Sequence, residues 1–104
     1  MTTIALLSVA PVIEESMAPH VAEAVNALDD FDVEYETTAM GTIIEADDAD
    51  ELFSAAAAAH RAVDTDRVST FLKIDDKRTW SGNANDKVAS VEAQLGRPPK
   101  SDDT

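Results

Sequence analysis

The segment from Tyr35 to Glu45 brings together an aromatic hydroxyl, the thioether of Met40, the alcohol of Thr42 and a carboxylate, and a second alcohol, Ser8, lies in an apolar run near the N-terminus. Glu45 sits among Ile43, Ile44 and Ala46, where a carboxylate is costly to bury without a partner. It therefore either takes part in a binding site, stays solvated at a strand edge, or pairs with Lys73 or Arg67 across a sheet. Thr42 and Ser8 can donate and accept, and both face one pocket if the strands align suitably; satisfied backbone bonding is the alternative for each. Tyr35 can stack on a ring or simply pack, and Met40 beside Gly41 is a soft pocket wall or a turn flank.

The chain lacks cysteine, so disulfides, thiolate metal sites and cysteine nucleophiles are excluded. His20 and His60 are far apart and form no metal-binding pair, and three glycines in all leave no phosphate-cradling loop. A cofactor-independent enzyme would have to take its base from His20, His60 or Glu45; no catalytic residue, metal or cofactor is assigned.

These groups must be held by regular elements, and the apolar spacing defines them. Residues 2–10 are apolar on both alternating faces, with Ile4, Leu6 and Ala10 opposite Ala5, Leu7 and Val9, as in a central strand. Ser16 is the expected cap of a helix carrying Val21, Val25 and Leu28 as far as Phe31. Residues 33–38 and 42–46 form a hairpin about Ala39-Met40-Gly41. Asp48 with Glu51 resembles a capping box for an alanine-rich helix whose face is Leu52, Phe53, Ala56, His60 and Val63. Residues 67–75 read as a fourth strand, with Val68, Thr70, Leu72 and Ile74 on one face. Asn85 is the expected cap of a third helix with a Val88, Val91, Leu95 stripe that Gly96 and Pro98-Pro99 stop.

The order β-α-β-β-α-β-α predicts an α+β, ferredoxin-like βαββαβ antiparallel sheet with an added C-terminal helix. One domain spans 1–96 and a disordered tail spans 97–104. Two helices cover only one sheet face, so apolar residues among Leu7, Val9, Ile43 and Phe71 must point to the other, which implies an oligomer. Trp80, in a polar loop, is expected at an inter-subunit contact, with a lid over ligand or local packing as alternatives.

Thirteen Asp and eight Glu against eight Lys and Arg give a net charge of −13 over 104 residues. That sign opposes nucleic acid and anionic membrane, neither of which is an expected partner. The acids are scattered through a periodic chain rather than blocked, which reads as a folded surface adapted to a salt-rich cytoplasm. No apolar run approaches the roughly 18 residues of a membrane helix, so a cytoplasmic location is expected.

The run Ser8-Val9-Ala10-Pro11, the segment Tyr35 followed by Met40-Gly41-Thr42-Ile43-Ile44-Glu45, Arg67-Val68-Ser69-Thr70, Lys73-Ile74-Asp75 and Lys87-Val88 with Ser90-Val91 together resemble the YkoF-like thiamine-binding protein family over about residues 2–96. The resemblance implies a homotetramer assembled through sheet faces and a non-catalytic site for thiamine or its hydroxymethylpyrimidine part. The ligand-binding residues expected are Ser8, Tyr35, Met40, Thr42 and Glu45. A regulatory or structural oligomer with a vestigial site is the alternative. Ala46 stands where relatives tend to carry Gly and narrows any close approach there.

Overall fold

A computed structural model describes residues 2–100. The strands are β1 (Thr2–Pro11), β2 (Glu34–Thr38), β3 (Gly41–Ala46) and β4 (Val68–Lys77), and the helices are α1 (Ala18–Ala27), α2 (Ala49–Ala62) and α3 (Ala84–Leu95). A short 3-10 turn, Leu28–Asp30, follows α1. The sheet order is β2-β3-β1-β4 and every pair is antiparallel, which is the expected ferredoxin-like arrangement. The tail is described only to Lys100; residues 101–104 of the expected disordered segment lie outside the described residues.

Alternation assigns each strand residue to a face. Leu7 pairs with Thr42 on β3 and Leu72 on β4, and Ala5 pairs with Ile44 and Ile74, so these residues share the face that α1 and α2 cover. Leu28, Ile44 and Leu52 are the large apolar anchors of that core, each no more than 1% exposed. Ala55, Ala56 and Ala59 complete α2's inner stripe, their small side chains letting the helix approach the sheet closely.

The buried stripe of α2 corrects one expectation. It runs Leu52, Ala55, Ala56, Ala59, Val63, and leaves Phe53 54% exposed and His60 at the surface, with His60 Nδ1 2.5 Å from Thr70 Oγ1. Alanines had carried too little apolar signal to outweigh one phenylalanine. The helix caps also shift. Asp48 does cap α2, accepting from the Asp50 amide at 2.9 Å, but Glu51 reaches instead to the Asp32 amide at 3.0 Å and ties α2 to the start of β2. The cap of α1 is Met17 without a side-chain bond, while Ser16 accepts from the Ala18 amide at 3.3 Å. For α3 the cap is Asn83, in a reciprocal capping box with Asp86, rather than Asn85.

Among the described residues no helix packs along the opposite sheet face, which only the start of α3 reaches. Ile4, Leu6, Ser8 and Ala10 of β1 lie there, with Ile43 and Glu45 of β3 and Phe71 and Lys73 of β4. α3 has no buried residue; Val88, Val91 and Leu95 are each about half exposed. Its first turn alone is tied down. Thr2 Oγ1 donates to the Gly82 carbonyl at 2.6 Å, and Lys87 Nζ lies 2.8 Å from Asp75 Oδ2.

Candidate functional site

The covered face holds a cavity of about 170 Å³ between α1, the second half of β1 and the β2–β3 turn. Met17, Val21 and Val25 wall it from α1, Leu7 and Val9 from β1, and Thr37, Thr38, Met40 and Thr42 from the hairpin. Among the described residues no charged side chain lines it. Its polar equipment is a cluster of alcohols: Thr42 Oγ1, in a residue 5% exposed, lies 3.3 Å from Thr37 Oγ1. Either oxygen can donate, so the pair can offer a ligand one donor or one acceptor.

The rim is a constrained turn. Thr38 Oγ1 donates to the Gly41 carbonyl at 2.8 Å and accepts from the Met40 amide at 3.2 Å, which fixes the turn while leaving Met40 82% exposed. Gly41 has φ +148°, and a Cβ there would lie 2.9 Å from the Leu7 carbonyl oxygen and 3.0 Å from Leu6 Cδ1. Glycine is required by both conformation and space at this junction of the cavity rim with β1.

Three of the five expected site residues, Ser8, Met40 and Thr42, line the cavity. They do not contribute alike. Leu7 shares a face with Thr42, so the Ser8 side chain alternates to the open face, and the two alcohols that could have met in one pocket lie on opposite sides of the sheet. Tyr35 faces a separate, shallow groove between α1 and β2, where its hydroxyl donates to Asp29 Oδ1 at 2.6 Å. That bond to a carboxylate holds the phenol above its ordinary pKa.

Glu45 is on the open face, half-buried, and accepts from the amide of Ala84, the first residue of α3. A carboxylate on an unpaired amide at a helix start satisfies an orphan donor and meets the positive end of the helix dipole, so Glu45 anchors α3. Neither Lys73 nor Arg67 is its partner. It also borders a second, acidic hollow with Asp32, Glu34 and Asp47. Among the described residues no three such side chains converge closely enough to hold a metal ion.

Trp80 finds local partners. A Cβ at Gly82 would lie 2.4 Å from the indole, so the ring rests directly on that glycine, and Lys87 Nζ is 5.4 Å from the ring centroid. Sequence reasoning missed Met17, Thr37 and Thr38 as cavity residues. The signal for Met17 was its spacing from Val21, Ala24 and Leu28, which extends α1's apolar stripe beyond the helix start.

A ferredoxin-like domain with a small, uncharged cavity beneath its first helix is thus the class that fold and site define. The model of the family described as thiamine-binding protein matches residues 5–92, and the chain belongs to that family. A UPF0045 protein of Methanothermobacter thermautotrophicus is 48% identical over 83 residues, covering 77% of this chain and 84% of the relative. The solved structure of a Methanocaldococcus jannaschii hypothetical protein superimposes with a TM-score of 0.80 at 32% identity, covering 86% of this chain and 95% of that one. A Thermotoga maritima structure, of a protein proposed to act in thiamine biosynthesis or salvage, shares the fold at a TM-score of 0.75 and 18% identity, covering 88% and 99% of the two chains.

Proposed function

We propose that this protein binds the hydroxymethylpyrimidine moiety, free or as the pyrimidine end of thiamine, without catalysing its conversion, and does so as a cytoplasmic homo-oligomer, a homotetramer of two dimers. The observation that carries the ligand reading is the uncharged cavity of about 170 Å³ with its paired Thr37 and Thr42 alcohols. Sites for drug-sized ligands run to roughly 300–1,000 Å³, so this one suits a single substituted ring. An aminopyrimidine brings an amino donor and ring-nitrogen acceptors to a wall of alcohols and apolar side chains. A thiazolium cation or a diphosphate would find no counter-charge inside and would have to remain at the Met40 rim or outside. Membership of the thiamine-binding protein family supports the same ligand class.

Thermal unfolding in molar KCl, with hydroxymethylpyrimidine, thiamine and thiamine diphosphate titrated separately, tests this reading. A ligand that binds only the folded state adds RT ln(1 + [L]/Kd), about 2.7 kcal/mol at a hundredfold excess over Kd, or a shift on the order of 10 °C for a domain of this size. The expected order is hydroxymethylpyrimidine at least equal to thiamine, with the diphosphate weakest. No shift from any of the three, with the oligomer intact, would instead support a regulatory or structural oligomer with a vestigial site. Repeating the unliganded measurement from low to molar KCl tests the adaptation to salt: stability is expected to rise.

A further inference from the structure

Two of the chain's three sulfur atoms, those of Met17 and Met40, belong to residues that line one cavity. Each stands where local structure favours another residue type. Met17 occupies the N-cap of α1, where Ser, Thr, Asp or Asn would accept from a free amide, and where a side chain that cannot accept costs about 1 kcal/mol. It makes no side-chain capping bond, yet its backbone is fixed, since the Met17 carbonyl accepts from the Val21 amide at 2.9 Å. Met40 holds an apolar side chain almost wholly in solvent, on a turn that Thr38 already secures. Two departures from local preference at one cavity point to the cavity rather than to the fold.

A thioether is unbranched and polarisable, and makes favourable contacts with aromatic rings. Such side chains suit a mouth through which a single ring passes, Met17 on the helix side and Met40 on the turn side. The same placement leaves them open to chemistry. Met17 is 46% exposed and Met40 82%, so a small oxidant reaches both without the chain unfolding.

We propose that this cavity is oxidation-sensitive: a hydroperoxide converts Met17 and Met40 to sulfoxides, which weakens capture of the ring, and reduction of the sulfoxides restores it. The proposal rests on the ligand reading above and adds its regulation. In the oxidation a sulfur lone pair attacks one peroxide oxygen, the O–O bond breaks as the S–O bond forms, and sulfur loses two electrons. The other oxygen departs, protonated, as water or an alcohol. Reduction by a methionine sulfoxide reductase, with a dithiol as electron source, supplies two electrons and two protons and releases the added oxygen as water.

A sulfoxide oxygen accepts hydrogen bonds and brings no proton of its own. The cavity offers it few donors, and Thr37 and Thr42 already share one hydrogen bond between their hydroxyls. An oxidised methionine therefore either keeps water at the mouth or takes the hydroxyl that a ring nitrogen would use. Both make capture of an apolar-faced ring less favourable. Because the chain has no cysteine, a peroxide effect cannot arise from a thiol.

The test is thermal unfolding with hydroxymethylpyrimidine in molar KCl, on the full chain before tert-butyl hydroperoxide, after it, and after repair by reductases for both sulfoxide epimers. Peptide mass analysis is expected to find one added oxygen at Met17 and one at Met40. The dissociation constant should rise at least about tenfold, which about halves the shift at a hundredfold excess over the original Kd, and repair should restore it. An unchanged shift in the oxidised chain, a loss that repair does not reverse, or resistance of both residues to the peroxide would overturn the proposal. A chain with Met17→Leu and Met40→Leu, compared only with itself before and after peroxide, should keep a constant Kd. A tenfold rise in that chain would assign the effect to another residue and also overturn the proposal. Absence of any shift in the untreated wild type would instead remove the ligand reading, and the switch with it, so the untreated protein distinguishes the two failures.

Discussion

The two faces of the sheet are built from the same four strands and differ in nearly every physical respect. Beneath α1 and α2 the strand side chains Ala5, Leu7, Val9 and Ile44 are all buried, and the cavity that Leu7 and Val9 help to line contains alcohols and, among the described residues, no charge. One residue along each strand the chain presents Ile4, Leu6, Ile43 and Phe71 flanked by Glu34, Glu36, Lys73 and Asp75. A strand's period of two lets a chain of this size carry a small uncharged cavity on one face and a surface of mixed apolar and charged side chains on the other. The difference teaches that cavity and surface can be altered separately, provided a substitution respects the parity of its strand.

The sharpest way to break this comparison is to remove the same side chain on each face. Leu52→Ala empties a position that is fully buried beneath the sheet, and is expected to cost about 2–5 kcal/mol in denaturant unfolding. Leu6→Ala on the open face should cost well under half as much in a dissociated chain, and should show its main effect as weaker association. Equal costs in both, measured under dissociating conditions, would mean that the open face is covered within the single chain.

A finer test exchanges polar groups. Thr42→Val removes the buried alcohol but keeps the side chain's shape, so the ligand-induced thermal shift should fall by about 1 kcal/mol while unliganded stability changes little. Glu45→Gln weakens the cap on α3 and should cost a comparable amount, on the order of 1 kcal/mol, with faster amide exchange confined to residues 84–87. It should leave ligand affinity alone. Reversal of the two effects would place the ligand at Glu45, on the open side of the sheet.

What the sequence made legible follows from the same parity. Hydrophobic alternation in β1 and β4 and the apolar stripe of α1 gave the elements, and their order gave the topology, because each depends only on local period and on the handedness of crossovers. The site depends on a relation between strands. Whether Ser8 shares a face with Thr42 is decided by Leu7 lying opposite Thr42 in the β1–β3 pairing, a relation between segments distant in the sequence. Reading residues 35–45 alone therefore groups side chains that the fold separates: Ser8, Met40 and Thr42 border the cavity, Ser8 with its side chain on the other sheet face, while Tyr35 and Glu45 border other hollows. The role of Glu45 was hidden further, since its partner Ala84 is distant in sequence and bonds through its backbone amide.

The smallest expected effects come from two exposed pairs with opposite pH signatures. The Lys87 ammonium, hydrogen-bonded to Asp75, holds that carboxyl below its ordinary value, with Lys73 and Lys77 adding to the shift. A depressed folded-state pKa means that the pair's contribution is present above the unfolded value near 3.8 and is lost as pH falls through the lower folded one. Tyr35 has the opposite sense. Its hydrogen bond to Asp29 raises the phenol above 10.0, so that contribution is present below the unfolded value and disappears as pH rises through the folded one. Both pairs are exposed and screened in salt, so Lys87→Met and Tyr35→Phe should change stability at pH 7 only slightly. Tyr35→Phe should flatten the alkaline limb of the stability profile and Lys87→Met the acid limb, measured by thermal unfolding at fixed KCl. A Lys87→Met variant that left the acid limb unchanged would show that its ammonium does not stabilise the fold through Asp75.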